Sequence, residues 1–400
     1  MNDTTSSDAA PYWTVHCTPD GALCSDHEPF VVIATGSRDV VLRYEDVTVV
    51  GAGDVARVST TDSSSSVAAQ LVVIDGLPVL ELSATEGGLD VVLLRRERVQ
   101  RIVNQGSGDV TIHDKVLATS GPGLTLSAIG SGDLYATSLK PITVDELSLG
   151  AQGSGRVHVS LSEFDVKAAS VEVSTSADAT IVVGSKGAAD SLALTVQGSG
   201  SLCVTADASI EASHVKIKKI GAGDVSLGPR GSCQDAELTT TGSGTLDAGG
   251  IQCRTVNVDL LGSGDVFVQA TGSLSGDVYG SGHLKYYGDA PHSVDNINSM
   301  GLVTATPASS SYRPSGCKAK PFPSPKPTVS AAAPTRPGVV GKSVGDEFRS
   351  DVTIDQSNIK YLAVVVFAVA LVLRWFNESR RRARDEQRQP LVGAERRVYV

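Results

Sequence analysis

The chain has 400 residues, a formal net charge of −10, 41 % hydrophobic residues and only 4 % aromatic ones. It is apolar enough to fold yet too poor in rings to build a core from them, and Gly 41 with Pro 17 points to a turn-rich β protein. With 34 basic against 44 acidic side chains there is no broad basic face for a phosphate backbone, which excludes a nucleic-acid partner.

Residues 1–30 read as an N-terminal extension. Met1 to Phe30 holds no apolar run that could form the core of a signal peptide. Three routes to a membrane then stay open: a start further upstream, insertion through a C-terminal anchor, or use of that anchor as the sole signal. Cys17 and Cys24 could close a small loop here.

Residues 31–300 form the region that repeats. A Gly-Ser-Gly or Gly-Ala-Gly triplet begins at Gly51, Gly106, Gly130, Gly153, Gly198, Gly221, Gly242, Gly262 and Gly280. The spacings are 55, 24, 23, 45, 23, 21, 20 and 18. The 45 is two units whose middle copy has decayed to TSADATIVV, with Asp178 in the motif position, and the 55 is read as about two coils through the Ser-rich stretch near Ser63. A period of about 20–24 residues is that of a solenoid.

After each triplet, aliphatic residues alternate with variable ones. Val110, Leu134, Val157, Leu202, Val225, Leu246 and Val266 fall in one inward slot, and Ile112, Ala136, Val159, Val204, Leu227, Ala248 and Val268 in the next. The residues between, Thr111, Tyr135, His158, Cys203, Ser226, Asp247 and Phe267, share no chemistry and are expected to face solvent. A second alternating run precedes each triplet, as in LALTVQGSG and VNVDLLGSG. Such short strands bury a face only by stacking coil on coil, about 4.8 Å apart, so the expected fold is an all-β parallel β-helix with aliphatic ladders inside. The recurring aspartates Asp54, Asp109, Asp133, Asp224 and Asp265 are expected to cap the glycine corner by accepting backbone N–H groups.

GSGDV and its variants at this spacing, with YEDVTVVGAGDVARV and LVVIDGLPVLELSATEGG upstream, resemble the auto-transporter adhesin head GIN domain family from about Val41 to Tyr287. The resemblance implies a β-helical surface or envelope protein with no catalytic motif to transfer. The stalk and anchor described below are additions to that pattern.

The repeat invites comparison with three chemistries. Calcium β-rolls place Asp on every half-turn of a nonapeptide, whereas here it comes once per coil and is replaced by Arg156, Ser201, Thr245 and His283. The Rossmann fingerprint lacks its strand-to-helix setting. Carboxylate pairs for glycoside chemistry, such as Asp109 with Asp133 or Asp224 with Asp265, arise from the repeat itself in too many copies to mark one active site. No catalytic, metal or cofactor residue is therefore assigned. Cys233 and Cys253 occupy nearly equivalent positions of adjacent coils and form a candidate disulfide. Phe267, Tyr279, Tyr286 and Tyr287 gather at the last coils as a candidate surface for a glycan or protein ligand, or as the solenoid's end cap.

Residues 301–358 read as a Pro/Ser-rich stalk, since eight of the 17 prolines fall between Pro307 and Pro337. Residues 359–376 read as one transmembrane helix. Its uncharged centre, Tyr361 to Leu373, is short and spans a bilayer only if Lys360 and Arg374 snorkel. Residues 377–400 are a basic tail whose Arg380, Arg381, Arg382 and Arg384 place it in the cytoplasm and the β-helix outside or in a lumen. The function expected is surface interaction or adhesion without catalysis, with a carbohydrate-active β-helix enzyme or a ligand-free spacer as alternatives.

Overall fold

The computed structural model of the chain describes residues 12–16, 30–46, 54–60, 67–74, 77–84, 87–299, 305–309 and 311–314. The chain divides into a unit of residues 1–332 and a unit of residues 333–400, the second wholly outside the described residues. The transmembrane segment 359–376 and the tail 377–400 lie there too. Among the described residues every regular element is a strand, and no helix is long and apolar enough to cross a membrane.

Apart from an antiparallel cap, the described strands wind a β-solenoid of about nine turns. Each regular turn has a short strand after the glycine corner and a long one leading to the next corner. The short strands include Val110–Ile112, Leu134–Ser138, Arg156–Leu161, Asp178–Val183, Leu202–Ala206 and Val225–Gly228. The long ones include Ser120–Gly130, Thr143–Gly153, Phe164–Thr175, Lys186–Gly198, Ser209–Gly221 and Gly231–Gly242. Two successive outward residues, such as Asp190 and Ser191 in Lys186–Gly198, break the alternation and bend the long strand into two sides. Like strands pair in parallel, each residue beside its counterpart one coil on.

Register makes the ladders continuous. Val40, Val110, Leu134, Val157, Ala179, Leu202, Val225, Leu246, Val266 and Leu284 stand in one file, each at most 2 % exposed. Burying each Val or Leu contributes roughly 1.5–3 kcal/mol, which is how a core without rings suffices. Where a ring does enter, the neighbouring coil yields: a Cβ on Gly187 would strike the ring of Phe164 at 2.6 Å.

The corner explains both motif glycines. Its first glycine has positive φ in the triplets from Gly130 (134°) to Gly280 (124°), though not at Gly106, and Thr175 with φ 67° takes this place in the decayed copy. The third, as at Gly200, lies so close to the coil before it that a Cβ would overlap the Ala177 carbonyl oxygen.

The N-terminal end departs from the expected series. Asp54–Thr60 pairs antiparallel with Leu89–Leu93 and with Tyr12–His16, and Val67–Ile74 pairs antiparallel with Leu77–Ala84. Of the segment read as about two coils, only the strands Asp54–Thr60 and Val67–Ile74 form an antiparallel cap, which closes an edge that would otherwise recruit more parallel strands, whereas Leu77–Ala84 and Leu89–Leu93 make a parallel coil. Order in space also differs from order in sequence. Phe30–Gly36 lies between Leu77–Ala84 and Val99–Asn104, and Val40–Tyr44 lies between Leu89–Leu93 and Val110–Ile112. The first coil of the chain is the second in the stack.

Candidate functional site

The short-strand face collects most of the solenoid's chemistry. Its edge carries the aspartates of the corner, and their role is a staple between coils rather than a cap within one turn. Asp109 Oδ1 accepts the N–H of Asp133 at 2.9 Å, Asp133 that of Arg156 at 2.8 Å, and Asp224 that of Thr245 at 2.7 Å. Asp39 and Asp178 do the same for Asp109 and Ser201. Each accepted N–H belongs to the residue one coil further on, so one carboxylate ties two corners. Asp265 instead faces His283 Nδ1 at 3.0 Å and accepts from Lys285 Nζ at 2.7 Å. Asp54 has no place in this series, because it opens the antiparallel strand Asp54–Thr60 and pairs with His16.

One staple grows into a network. Asp133, buried, also accepts from Arg156 Nε at 3.0 Å and from the Tyr135 hydroxyl at 2.9 Å. Burial alone would raise its carboxyl, but the bonds from Arg156 and Tyr135 outweigh burial and hold it below the usual carboxylate value. Burial and that same bond push Tyr135 up to about 12. Asp109, half-buried and flanked by the charges of Asp133 and Asp39, is raised by that partial burial despite the backbone N–H it accepts. Beside this network lies a cleft of about 210 Å³, whose lining includes Tyr135, Arg156, His158, Asp178, Ser201 and Cys203. The rings of Tyr135 and His158 are tilted at 47° with centroids 6.3 Å apart.

The outward residues of this face do not stand in solvent as expected. His158 is 4 % and Asp247 6 % exposed, and Tyr135, Cys203, Ser226 and Phe267 are half-buried. At the last coils a further segment of chain lies over this face. Thr306–Pro307 pairs with Lys285 and Tyr286, and Tyr312 then turns back over the preceding coils. Its ring stacks on Phe267 at 4.5 Å and 2°, meets Tyr287 edge-on at 5.4 Å, and its hydroxyl donates to Asp247. Burial and that bond raise the Tyr312 hydroxyl strongly.

The four aromatics therefore separate. Phe267 and Tyr287 are occupied by Tyr312, and Tyr286 packs against the core from the end of the ladder. Tyr279 lies on another side, beside the exposed Leu261, in the file at the position before the corner glycine that runs on through Thr241 to Ile220. Cys233 and Cys253 stand in register on inward positions and are joined by a disulfide with Cα atoms 4.4 Å apart. Cys203 is disulfide-bonded as well. Cys17 and Cys24 lie outside the described residues.

Sequence reasoning did not single out Tyr312, which sits in proline-rich chain without periodicity. It also passed over Lys219, although counting two back from Gly221 places Lys219 in an inward slot filled by Ala128, Ala151, Val173 and Val196 in earlier coils. Lys219 is fully buried, and its Nζ donates to the carbonyl of Ser243 and, at 3.5 Å, to that of Gly221. Among the described residues no group of three or more His, Cys, Asp or Glu converges as a metal site.

Residues 171–290 match the family described as "Putative auto-transporter adhesin, head GIN domain". The solenoid is similar to the crystal structure of a putative adhesin from Parabacteroides merdae, at 13 % identity and TM-score 0.40 over 76 % of this chain and 98 % of that one. Two Parabacteroides distasonis structures, a putative adhesin and a putative lipid binding protein, cover the same shares at 15 % and 16 % identity, each with TM-score 0.38. No curated protein matches the chain.

Proposed function

We propose that this chain is an adhesin-like surface protein that binds a partner or glycan without catalysis, held at a membrane by residues 359–376 on a stalk. Its solenoid then faces outward or into a lumen, and residues 377–400 face the cytoplasm. The observation that carries the proposal is the match of residues 171–290 to an adhesin head domain. The state of the carboxylates supports the non-catalytic part. A hydrolase needs a general acid and a base free to exchange protons, and glycosidases place two carboxyls across the scissile bond. Here the carboxylates nearest the cleft, Asp133 and Asp178, are those of the repeat, each already accepting a backbone N–H from the next coil. The anchor rests on the uncharged run Tyr361–Leu373 and the arginines after it.

Protease protection with a tag at each end tests this reading. The N-terminal tag is expected to be cleaved from intact cells while the C-terminal tag is protected. A protected N-terminal tag in both intact cells and isolated organelles would end the adhesion proposal.

A further inference from the structure

We propose that the lysine- and proline-rich segment Ser315–Thr328 docks along the short-strand face and is tied there by a disulfide between Cys203 and Cys317. The chain after Pro314 would then begin as a strap on the folded body, and only beyond it as a free stalk.

Connectivity leads to this. Cys203 is disulfide-bonded, and Cys233 and Cys253 are bonded to each other, which leaves Cys17, Cys24 and Cys317 of the six cysteines. Reach then separates the three. Cys17 follows His16, which pairs on a strand outside Leu89–Leu93. The coil of Leu89–Leu93 is itself six coil spacings from Cys203, roughly 29 Å at about 4.8 Å each. Cys24 precedes Phe30 by six residues, at most about 21 Å of extended chain, against five spacings of about 24 Å plus the width of the coil. Cys317 follows Tyr312 by five residues, with a reach of about 17 Å. Tyr312 already bonds Asp247, which lies two spacings, or about 10 Å, from Cys203. Only Cys317 arrives with chain to spare.

Course and chemistry agree with that choice. From Thr306–Pro307 on the last coil to Tyr312 over Asp247, the chain already runs back toward the N-terminal end along this face. Continued, it passes Ser226 and Cys203 and enters the cleft beside Tyr135 and His158. Ser315–Thr328 carries Lys318, Lys320 and Lys326 and no acid. The edge it would follow is the file of Asp224, Asp178, Asp133 and Asp109. Four prolines, Pro321, Pro323, Pro325 and Pro327, cannot donate to a sheet. An extended polyproline conformation suits a groove with rings instead, the mode in which aromatic grooves take proline-rich chain.

Disulfide mapping of the full-length protein, digested without reduction, is expected to yield the Cys203 peptide joined to the Cys317 peptide. Recovery of Cys203 with Cys17 or Cys24, with a second chain, or as a free thiol overturns the assignment. Docking has its own readout. Trypsin should cut the Lys318–Ala319 bond of the native protein about tenfold more slowly than in Cys317→Ser, and Cys203→Ser should match that variant. Equal rates in all three would show that the segment is not held.

Discussion

At the scale of single residues, two glycines of similar appearance in the sequence carry opposite costs. Gly200 has no room for a Cβ against the Ala177 carbonyl, whereas the nearest atom to a Cβ on Gly184 is 3.6 Å away. Gly200→Ala is therefore expected to destabilise by about 3 kcal/mol or more, and Gly184→Ala by less than about 0.5 kcal/mol. Denaturant titration of both variants checks the contrast, and equal losses would refute the stacked-corner account. Lys219 supplies a pH test. Burial outweighs the attraction of Asp224 and lowers its pKa below the ordinary 10.5. Between the lowered value and 10.5 the folded state binds fewer protons than the unfolded chain, so stability rises with pH through that window and the penalty is complete below it. Thermal melts from neutral pH to pH 10.5 should show this rise in the wild type relative to Lys219→Met. Parallel curves would mean that the buried amine is not the cause.

At the scale of the element, the decayed corner tests how the repeat tolerates loss of its glycine. Thr175 holds φ 67°, a left-handed conformation that costs a β-branched residue roughly 1–2 kcal/mol. Part of this returns through its Oγ1, which accepts the Gly153 N–H at 2.9 Å. Thr175→Gly is expected to gain up to about 1 kcal/mol, and Thr175→Val, which keeps the strain and loses the bond, to lose about 1–2 kcal/mol. A loss of stability in Thr175→Gly relative to the wild type in urea unfolding would show that the hydrogen bond outweighs the backbone. The coil around Thr175 was legible in the sequence because Asp178 and Ala179 stay in register although the triplet is gone. Asp54 misled for the same reason reversed: it follows an intact triplet, yet its strand runs antiparallel. A local motif records what a corner needs and not which strand lies beside it.

At the scale of the whole molecule, the order of the stack is what can be broken. Residues 30–44 form a coil between 77–93 and 99–112, so a chain lacking residues 1–46 loses an interior layer and not an end. It is expected to aggregate with loss of β signal in the far ultraviolet. A chain lacking residues 47–76 loses only the antiparallel cap and should keep its coils while associating through the bared edge. Size-exclusion chromatography with circular dichroism separates these outcomes. A monomeric, fully β-structured protein from the first deletion would disprove the interleaved order.

The coil is written in the chain itself. Period, inward slots, glycine corner and the register of Cys233 with Cys253 all follow from side-chain alternation and from the space a Cβ requires, both of which are local. Four features come from long-range contacts: the antiparallel cap, the placement of residues 30–44 in the stack, the cover over Asp247 and Phe267 and the separation of the four aromatics. These depend on which chemically equivalent aliphatic files meet. A ladder of Val and Leu has the same affinity for any neighbour of matching period, so order in the stack is set by the loops between coils. The covering of Phe267 and Asp247 is likewise set by Tyr312, a residue 65 positions from Asp247 whose partner no periodicity announces.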